Sequence, residues 1–455
     1  MPAAVEFAAA TSSAPTTKPA LAIPPKQGLF PKPYRALDRA FCFPDENQSK
    51  WWKATAPIFA RMLRDAGYDV DQQYEYLTFM REHVYPHLPP ALGTKRVFPN
   101  PSSGDPDFEL SMNFQRSKST PRVCFLPIVR GPGDDDASYQ PDPTRILKTL
   151  EPALRDAGYS TKIYDAMKQH MVASDEEKES LQKKGLIKGK IYEVQSTVAL
   201  DFGANGQIMA KMYMFPTLKS FATNISCSQI FLDAVRAVDP TGQLFPGLSA
   251  IEEFFASSIA SGPGDASSTA SPWNVAFDLV EPEHSRIKIY AYETHVDLKR
   301  LEHHWTLGGK LKEPEHLEGL ELMKDLFKRL RIPEGHRKVS EDYPIWKDPD
   351  SLNPIVVNWE LHPGRPDPVP KAYFSIRGLK DMENTEAITE FFASLGWTHH
   401  AETYTPNLLS YFPNTNLEET TLAQSWISFA YSRARGPYIT VYCQDLDPTL
   451  SREPH

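Results

Sequence analysis

Arg286, Lys288 and Tyr290 alternate along FDLVEPEHSRIKIYAYE, the stretch from Phe277 to Glu293. In a strand, that spacing turns all three toward one face and Ile287 and Ile289 toward the other. Alone, the segment reads as a half-buried strand whose basic face meets water. The pattern recurs, however. Lys211 and Tyr213 stand two apart after a strand-like run from Val198 to Phe202, and Lys371 and Tyr373 stand two apart in PVPKAYFSI. The three tyrosines follow one another at intervals of roughly 80 residues, as expected of one repeated supersecondary unit. Tyr438 and Tyr442 in PYITVYCQ read as a fourth, degraded copy. Recurrence in register predicts a site.

Cationic side chains on adjacent strands, facing one lumen, would bind a polyanion such as a diphosphate through charge-assisted hydrogen bonds. Tyrosines one layer further along would offer π-faces to a cation and hydroxyls to phosphate oxygens. Together they describe a place where an allylic diphosphate ionises. Lysine and arginine would steady the leaving group, and the rings would screen the carbocation from water.

FDLVEPEHSRIKIY followed by WTLGG (Trp305 to Gly309), with DFELSMNF upstream and SWISFAYSRARGPYITVY near the end, resembles the fungal aromatic prenyltransferases of the dimethylallyltryptophan synthase family. The resemblance runs from Tyr34 to Tyr442. It implies an α+β fold, a single ten-stranded antiparallel β-barrel of repeated αββα units with helices outside and the reaction in the lumen. The family's glutamate that takes the indole N–H proton falls on Glu109, which alternation in DFELSMNF sets opposite Phe108, Leu110 and Met112. Burial there would raise its pKa and a nearby lysine would lower it. Removing the indole proton as the ring attacks leaves no full positive charge on the indole.

The resemblance further implies that Arg122, Lys211, Arg286, Lys288, Lys371 and Arg433 contact the diphosphate, with Ser432 or Arg435 as alternatives to Arg433. Tyr213, Tyr290, Tyr373, Trp426 and Tyr442 would form the cation shield, and Lys211 could also assist the last deprotonation. Family members acting on free tryptophan tend to carry glutamine where this chain has Lys371 and tyrosine where it has Trp426. Lysine and tryptophan there are more like the members acting on tryptophan-containing cyclic dipeptides. The implied reaction is transfer of a dimethylallyl group from dimethylallyl diphosphate to the indole of such a dipeptide, in indole alkaloid biosynthesis, by carbocation formation and electrophilic aromatic substitution. Free tryptophan, tyrosine or another phenol is the alternative acceptor. An alternative of another class, a non-catalytic barrel binding an amphipathic anion, is disfavoured by Glu109, since a carboxylate aimed into an anion site weakens binding unless it has a chemical task.

No cofactor is expected. Asp134, Asp135 and Asp136 are consecutive, so they lack the DDxxD spacing that holds magnesium on a diphosphate; a Gly/Pro-flanked acidic run reads as a solvated loop. The pairs His303-His304 and His399-His400 are adjacent, which points their rings apart and gives little reason to invoke a metal. A net charge of −9 argues against a nucleic acid or an anionic membrane surface as partner. The partners expected are therefore the two small-molecule substrates, with the protein a monomer or homodimer.

The positioning elements follow from composition and period. The 455 residues would form one prenyltransferase barrel domain from residue 31 onward, after a disordered stretch over 1–30 rich in Ala, Thr, Ser and Pro. Gln48 to Ala66 reads as a helix interrupted at Pro57 or as two short helices. Asp71 to Val84 continues helical, and Pro86 to Pro101 and Ala260 to Ser271 read as loops. Glu313 to Leu330 is an amphipathic helix with Leu317, Leu320, Met323, Phe327 and Leu330 facing inward. Cys42, Cys124, Cys227 and Cys443 form no ligand or CxxC spacing and read as reduced thiols. With no apolar run long enough to span a bilayer and no signal-peptide pattern at the start, the chain reads as cytoplasmic.

Overall fold

Period-two alternation becomes ten antiparallel strands: β1 (Phe108–Gln115), β2 (Lys118–Phe125), β3 (Ser196–Phe202), β4 (Ile208–Met214), β5 (Ser271–Asp278), β6 (Ile287–Glu293), β7 (Ile355–Leu361), β8 (Val369–Ser375), β9 (Gln424–Ser432) and β10 (Gly436–Cys443). Each pairs with the next in sequence, and β10 returns to β1 with Ser111 opposite Tyr442, so the sheet closes into a barrel. Closure leaves no unpaired edge. The computed structural model describes residues 30–90, 108–130, 139–186, 194–260, 270–337 and 353–443. The readings of 1–29, of the proline-rich run beyond residue 90, of Asp134 to Asp136 and of 261–269 lie outside them.

The barrel wall separates two apolar regions. Residues of one parity, among them Leu110, Met112, Ile287, Ile289, Trp359, Phe374 and Ile427, point outward into a core shared with the surrounding helices. Residues of the other parity point into the lumen, where Ala276, Tyr290, Val356, Tyr373 and Trp426 form a cluster of their own. Each fully buried large apolar side chain contributes on the order of 1.5–3 kcal/mol, so the outward core holds the wall in register. The lumen can then be spent on polar chemistry.

Helix Glu46–Asp65 runs unbroken through Pro57, contrary to the expected interruption. Trp51, Trp52, Ala56, Phe59, Met62 and Leu63 are buried along its length, while Lys53, whose carbonyl would have met the missing N–H, is exposed. Packing outweighs the roughly 3 kcal/mol a mid-helix proline costs. Helix Pro314–Arg329 also departs from expectation, because Leu317 is 45% exposed. At Gly319 a Cβ would come within 2.8 Å of the Tyr431 Cβ and 2.9 Å of Trp305 Cζ2. That close approach turns His316, Gly319, Leu320, Met323 and Phe327 onto the barrel and leaves Leu317 on the flank. The adjacent histidines do not point apart, for their ring centres lie 5.7 Å apart in His303 and His304 and 5.8 Å apart in His399 and His400; His304 Nε2 lies 2.9 Å from Glu293 Oε2, and His400 Nε2 2.8 Å from the Gln115 carbonyl.

Trp359 ties wall to helices, since it is fully buried and its indole N–H donates to the His304 carbonyl at 3.0 Å. Trp359→Ala should cost roughly 3–5 kcal/mol of stability. Leu317→Lys should stay within about 0.5 kcal/mol of the parent. Denaturant unfolding of the two variants checks both, and equal losses would contradict this division between core and flank.

Candidate active site

Strand pairing arranges the lumenal side chains in two layers. The first is a chain of ion pairs. Arg122 on β2 donates to Asp201 on β3 through Nε and, at 3.0 Å, through Nη2. Lys211 on β4 lies 2.8 Å from Asp201 and 3.2 Å from Asp278 on β5. Arg286, just before β6, reaches Asp278 at 2.9 Å and Glu360 on β7 at 3.3 Å. Lys288 lies 3.5 Å from the other Glu360 oxygen.

Register explains this order. Lys211 stands directly opposite Asp278, and Lys288 directly opposite Glu360. Arg122 likewise faces Asp201. Lys371 on β8 stands opposite Ala430 instead. Among the described residues it has no ion-pair partner, and its ammonium lies 5.1 Å from the Tyr373 ring centre and 4.8 Å from that of Tyr438. Five cations thus share three carboxylates.

Burial penalises ionisation at Asp201, Asp278 and Glu360, but the surrounding lysines and arginines outweigh it and hold all three below the usual carboxylate range. The lysines show the opposite balance. Burial, with Arg286 and Lys211 nearby, brings Lys288 down to about 8 despite Glu360 and Asp278. Burial, Lys288 and Arg122 hold Lys371 well below the ordinary lysine range, against a smaller pull from Glu360.

The second layer is aromatic. Tyr213, Tyr290, Tyr373 and Tyr442 follow one another around the wall, with successive ring centres 6.0, 5.8 and 6.3 Å apart. The Tyr290 and Tyr373 hydroxyls are 3.2 Å apart, and Asn358 donates to the Tyr373 oxygen at 3.0 Å. Glu109, 7% exposed, stands opposite Cys124 and lines a chamber with Arg122, these four tyrosines, Trp273, Asn274, Val356 and Trp426. Below it a cavity of about 830 Å³ is lined by Arg122, Asp201, Asp278, Arg286, Lys288, Glu360, Lys371 and Tyr438 and opens past Arg365, Arg433 and Arg435. Arg122 borders both spaces. A polyanion in the lower space therefore lies beside rings and a carboxylate in the upper one.

The sequence profile of tryptophan dimethylallyltransferases matches residues 47–407. The chain belongs to that family. It is 34% identical to the reverse prenyltransferase criA of Aspergillus cristatus, over 90% of this chain and 93% of that one. The tryptophan dimethylallyltransferase of Arthroderma otae is 33% identical, over 91% of each. The crystal structure of NotF in complex with brevianamide F and DMSPP is similar at a TM-score of 0.77 and 30% identity, covering 91% of this chain and 99% of NotF. The protein is accordingly a prenyltransferase with the family's barrel.

In this prenyltransferase the sequence-predicted residues fall into the layers foreseen for them, with two qualifications. Arg433 sits at the mouth of the lower cavity, exposed and held by Glu318 of the outer helix, with its Nε 3.2 Å from that carboxylate. Lys211 is 2% exposed, covered by its two aspartates, and borders neither space. Sequence reasoning missed Asp201, Asp278 and Glu360. Each shares the lumenal parity of its strand, and each precedes a Lys-x-Tyr by one hairpin, so the repeat is acid, then Lys-x-Tyr. Trp273, Asn274 and Cys124 were also missed; Asn274 shares the parity of Asp278 and Cys124 that of Arg122, and only chamber geometry reveals Trp273.

An anion bound in the ring should return the proton to Lys288, so the bound state holds more protons than the free one. Binding of inorganic diphosphate should then weaken as pH rises through about 8. Titration calorimetry in buffers of different ionisation enthalpy should register proton uptake. Lys288→Arg, charged throughout this range, should flatten that part of the profile. An unchanged profile in the variant would remove Lys288 from the titration.

Proposed function

We propose that the enzyme transfers a dimethylallyl group from dimethylallyl diphosphate to the indole of a tryptophan-containing cyclic dipeptide, in indole alkaloid biosynthesis. Arg122, Arg286, Lys288 and Lys371, with Arg433 at the mouth, hold the diphosphate; Lys211 orders the ring through Asp201 and Asp278 and stays a weaker candidate for the final proton. As the C–O bond breaks, its electron pair leaves with the diphosphate, and Tyr213, Tyr290, Tyr373, Trp426 and Tyr442 screen the allyl cation from water. The indole ring attacks the cation, Glu109 takes the N–H proton as the new C–C bond forms, and it returns that proton to nitrogen as the ring C–H proton passes to the bound diphosphate, which restores aromaticity. NotF, crystallised with brevianamide F and DMSPP together, supports an acceptor and a donor analogue sharing one barrel.

The observation that carries the acceptor class is the charge of the chamber. Among its described lining residues the one cation is Arg122, and its guanidinium is already engaged by Asp201. A free amino acid would bring a carboxylate into a buried space that also holds Glu109, without a cation to receive it. A cyclic dipeptide carries its polar atoms as neutral amides. This favours it over free tryptophan, although the Arthroderma otae relative is named for that activity.

Cationic side chains gathered on the diphosphate make a divalent metal unnecessary in this reading. Four unpaired cysteines, and no membrane-crossing helix among the described residues, suit a reducing cytoplasm. The test is an assay in EDTA with dimethylallyl diphosphate and a panel of tryptophan, tyrosine and cyclic tryptophan dipeptides, read by mass spectrometry. We expect one prenyl unit added to a cyclic dipeptide. Glu109→Gln should lower kcat by about 10²–10⁴-fold while diphosphate binding persists. Faster turnover of free tryptophan than of any cyclic dipeptide would overturn the acceptor assignment.

A further inference from the structure

Consecutive residues of a regular strand point to opposite faces. Trp273 and Asn274 do not obey this, for both line the aromatic chamber. The register of β5 against β6 shifts between Pro272, opposite Ala291, and Asn274, opposite Tyr290. That irregularity inserts one residue and re-aims the chain, as bulges beside active sites do. The residue it re-aims is Trp273, while Asn274 keeps the lumenal parity of Ala276 and Asp278 and sets a carboxamide in a space otherwise walled chiefly by rings.

Asn274 is 1% exposed, and among the described residues its Oδ1 has no hydrogen-bond partner. A buried, unpartnered carboxamide oxygen is unfavourable, and an apolar side chain would fill the same place without that cost. On β9, four strands further round a ten-stranded wall, Trp426 Nε1 is likewise buried without a partner and lines the same chamber. One wall thus offers an acceptor and a wall nearly opposite offers a donor. A diketopiperazine presents the complement, since its two neutral amides lie on opposite sides of a small ring, each with an N–H and a C=O. A carboxamide also suits an amide edge in either orientation, as it can turn oxygen or nitrogen toward it.

We infer that Asn274 reads the acceptor: its carboxamide hydrogen-bonds an amide edge of the cyclic dipeptide and so sets where the indole lies against Glu109 and the allyl cation. This rests on the acceptor class proposed above and adds the residue that recognises it. Asn274 is a specificity-determining residue, outside the diphosphate ring and the proton transfers.

The test compares cyclo-tryptophanyl-alanine with its counterpart methylated on both amide nitrogens. In the wild-type enzyme methylation should lower acceptor kcat/KM about tenfold, the worth of one buried hydrogen bond. Asn274→Leu should lose about tenfold on the unmethylated dipeptide and turn over both acceptors at similar rates, with the KM for dimethylallyl diphosphate unchanged. A purely structural role for Asn274 would slow both acceptors alike and keep their ratio. That outcome, or equal use of both acceptors by the wild type, would overturn the inference and leave the acceptor class standing. If the wild type prenylates neither dipeptide, the acceptor class falls and the inference with it. Should circular dichroism find Asn274→Leu unfolded, Asn274→Ser carries the same comparison.

Discussion

Everything in the lumen depends on keeping an excess of positive charge inside a low-dielectric barrel. An isolated buried ammonium or guanidinium costs several kcal/mol even after relaxation. Here Asp201, Asp278 and Glu360 interleave with Arg122, Lys211, Arg286 and Lys288, so most cations meet a carboxylate across the strand gap. The remaining excess is met partly by a tendency to lose protons. Lys288 and Lys371 are shifted toward the neutral amine, which lowers the cost of the empty ring. In the proposed reading an incoming diphosphate would reverse that shift and recover the full positive field.

That arrangement also dictates where the rings must be. The charge layer is cross-linked by ion pairs between neighbouring strands, so in the proposed reaction a leaving diphosphate would stay where it is bound. The cation formed from it needs stabilisation within a few ångströms and nothing nucleophilic except the intended acceptor. Alternation supplies this directly, because Tyr213, Tyr290 and Tyr373 lie one inward-facing position beyond Lys211, Lys288 and Lys371 on the same strands. The lysine layer and the ring layer are therefore spaced by backbone geometry, and no loop has to set their distance.

Much of this could be read from the chain, for a physical reason. Lys-x-Tyr encodes facing by period two, and its recurrence encodes strand repetition, so layer membership was legible for Lys211, Arg286, Lys288, Lys371 and their tyrosines, while Arg122 was placed by the family resemblance. The carboxylates were less legible, since an aspartate in VALDF or a glutamate in NWEL looks like a strand's solvent face until the partner strand is known. Their meaning lies in register between hairpins far apart in sequence. Pro57 and Leu317 were misread for the same kind of reason, because local propensity and helical period give no account of burial on both sides of a helix or of a close approach such as that at Gly319. Trp273 was hidden by an irregular register, which breaks the parity rule that exposed the rest, whereas Asn274 keeps that parity and was missed for want of a recurring pattern.

Three hairpins carry the acid and Lys-x-Tyr together, and the first two lysines meet the acid of the following hairpin, Lys211 at Asp278 and Lys288 at Glu360. The last hairpin, β9 and β10, breaks the rule by placing Ala430 where that acid would stand. Had β9 carried an aspartate there, Lys371 would have closed the ring as a fourth ion pair, and an incoming anion would have had to displace a carboxylate to reach it. With alanine, the ammonium rests against Tyr373 and Tyr438, whose rings hold a cation weakly and yield it without leaving a buried charge behind. Lys371 is consequently the cation an anion can claim at least cost. It lines the lower cavity and Tyr373 the upper one, so in the proposed reaction the break in the repeat would mark the point on the wall where diphosphate and allyl group part.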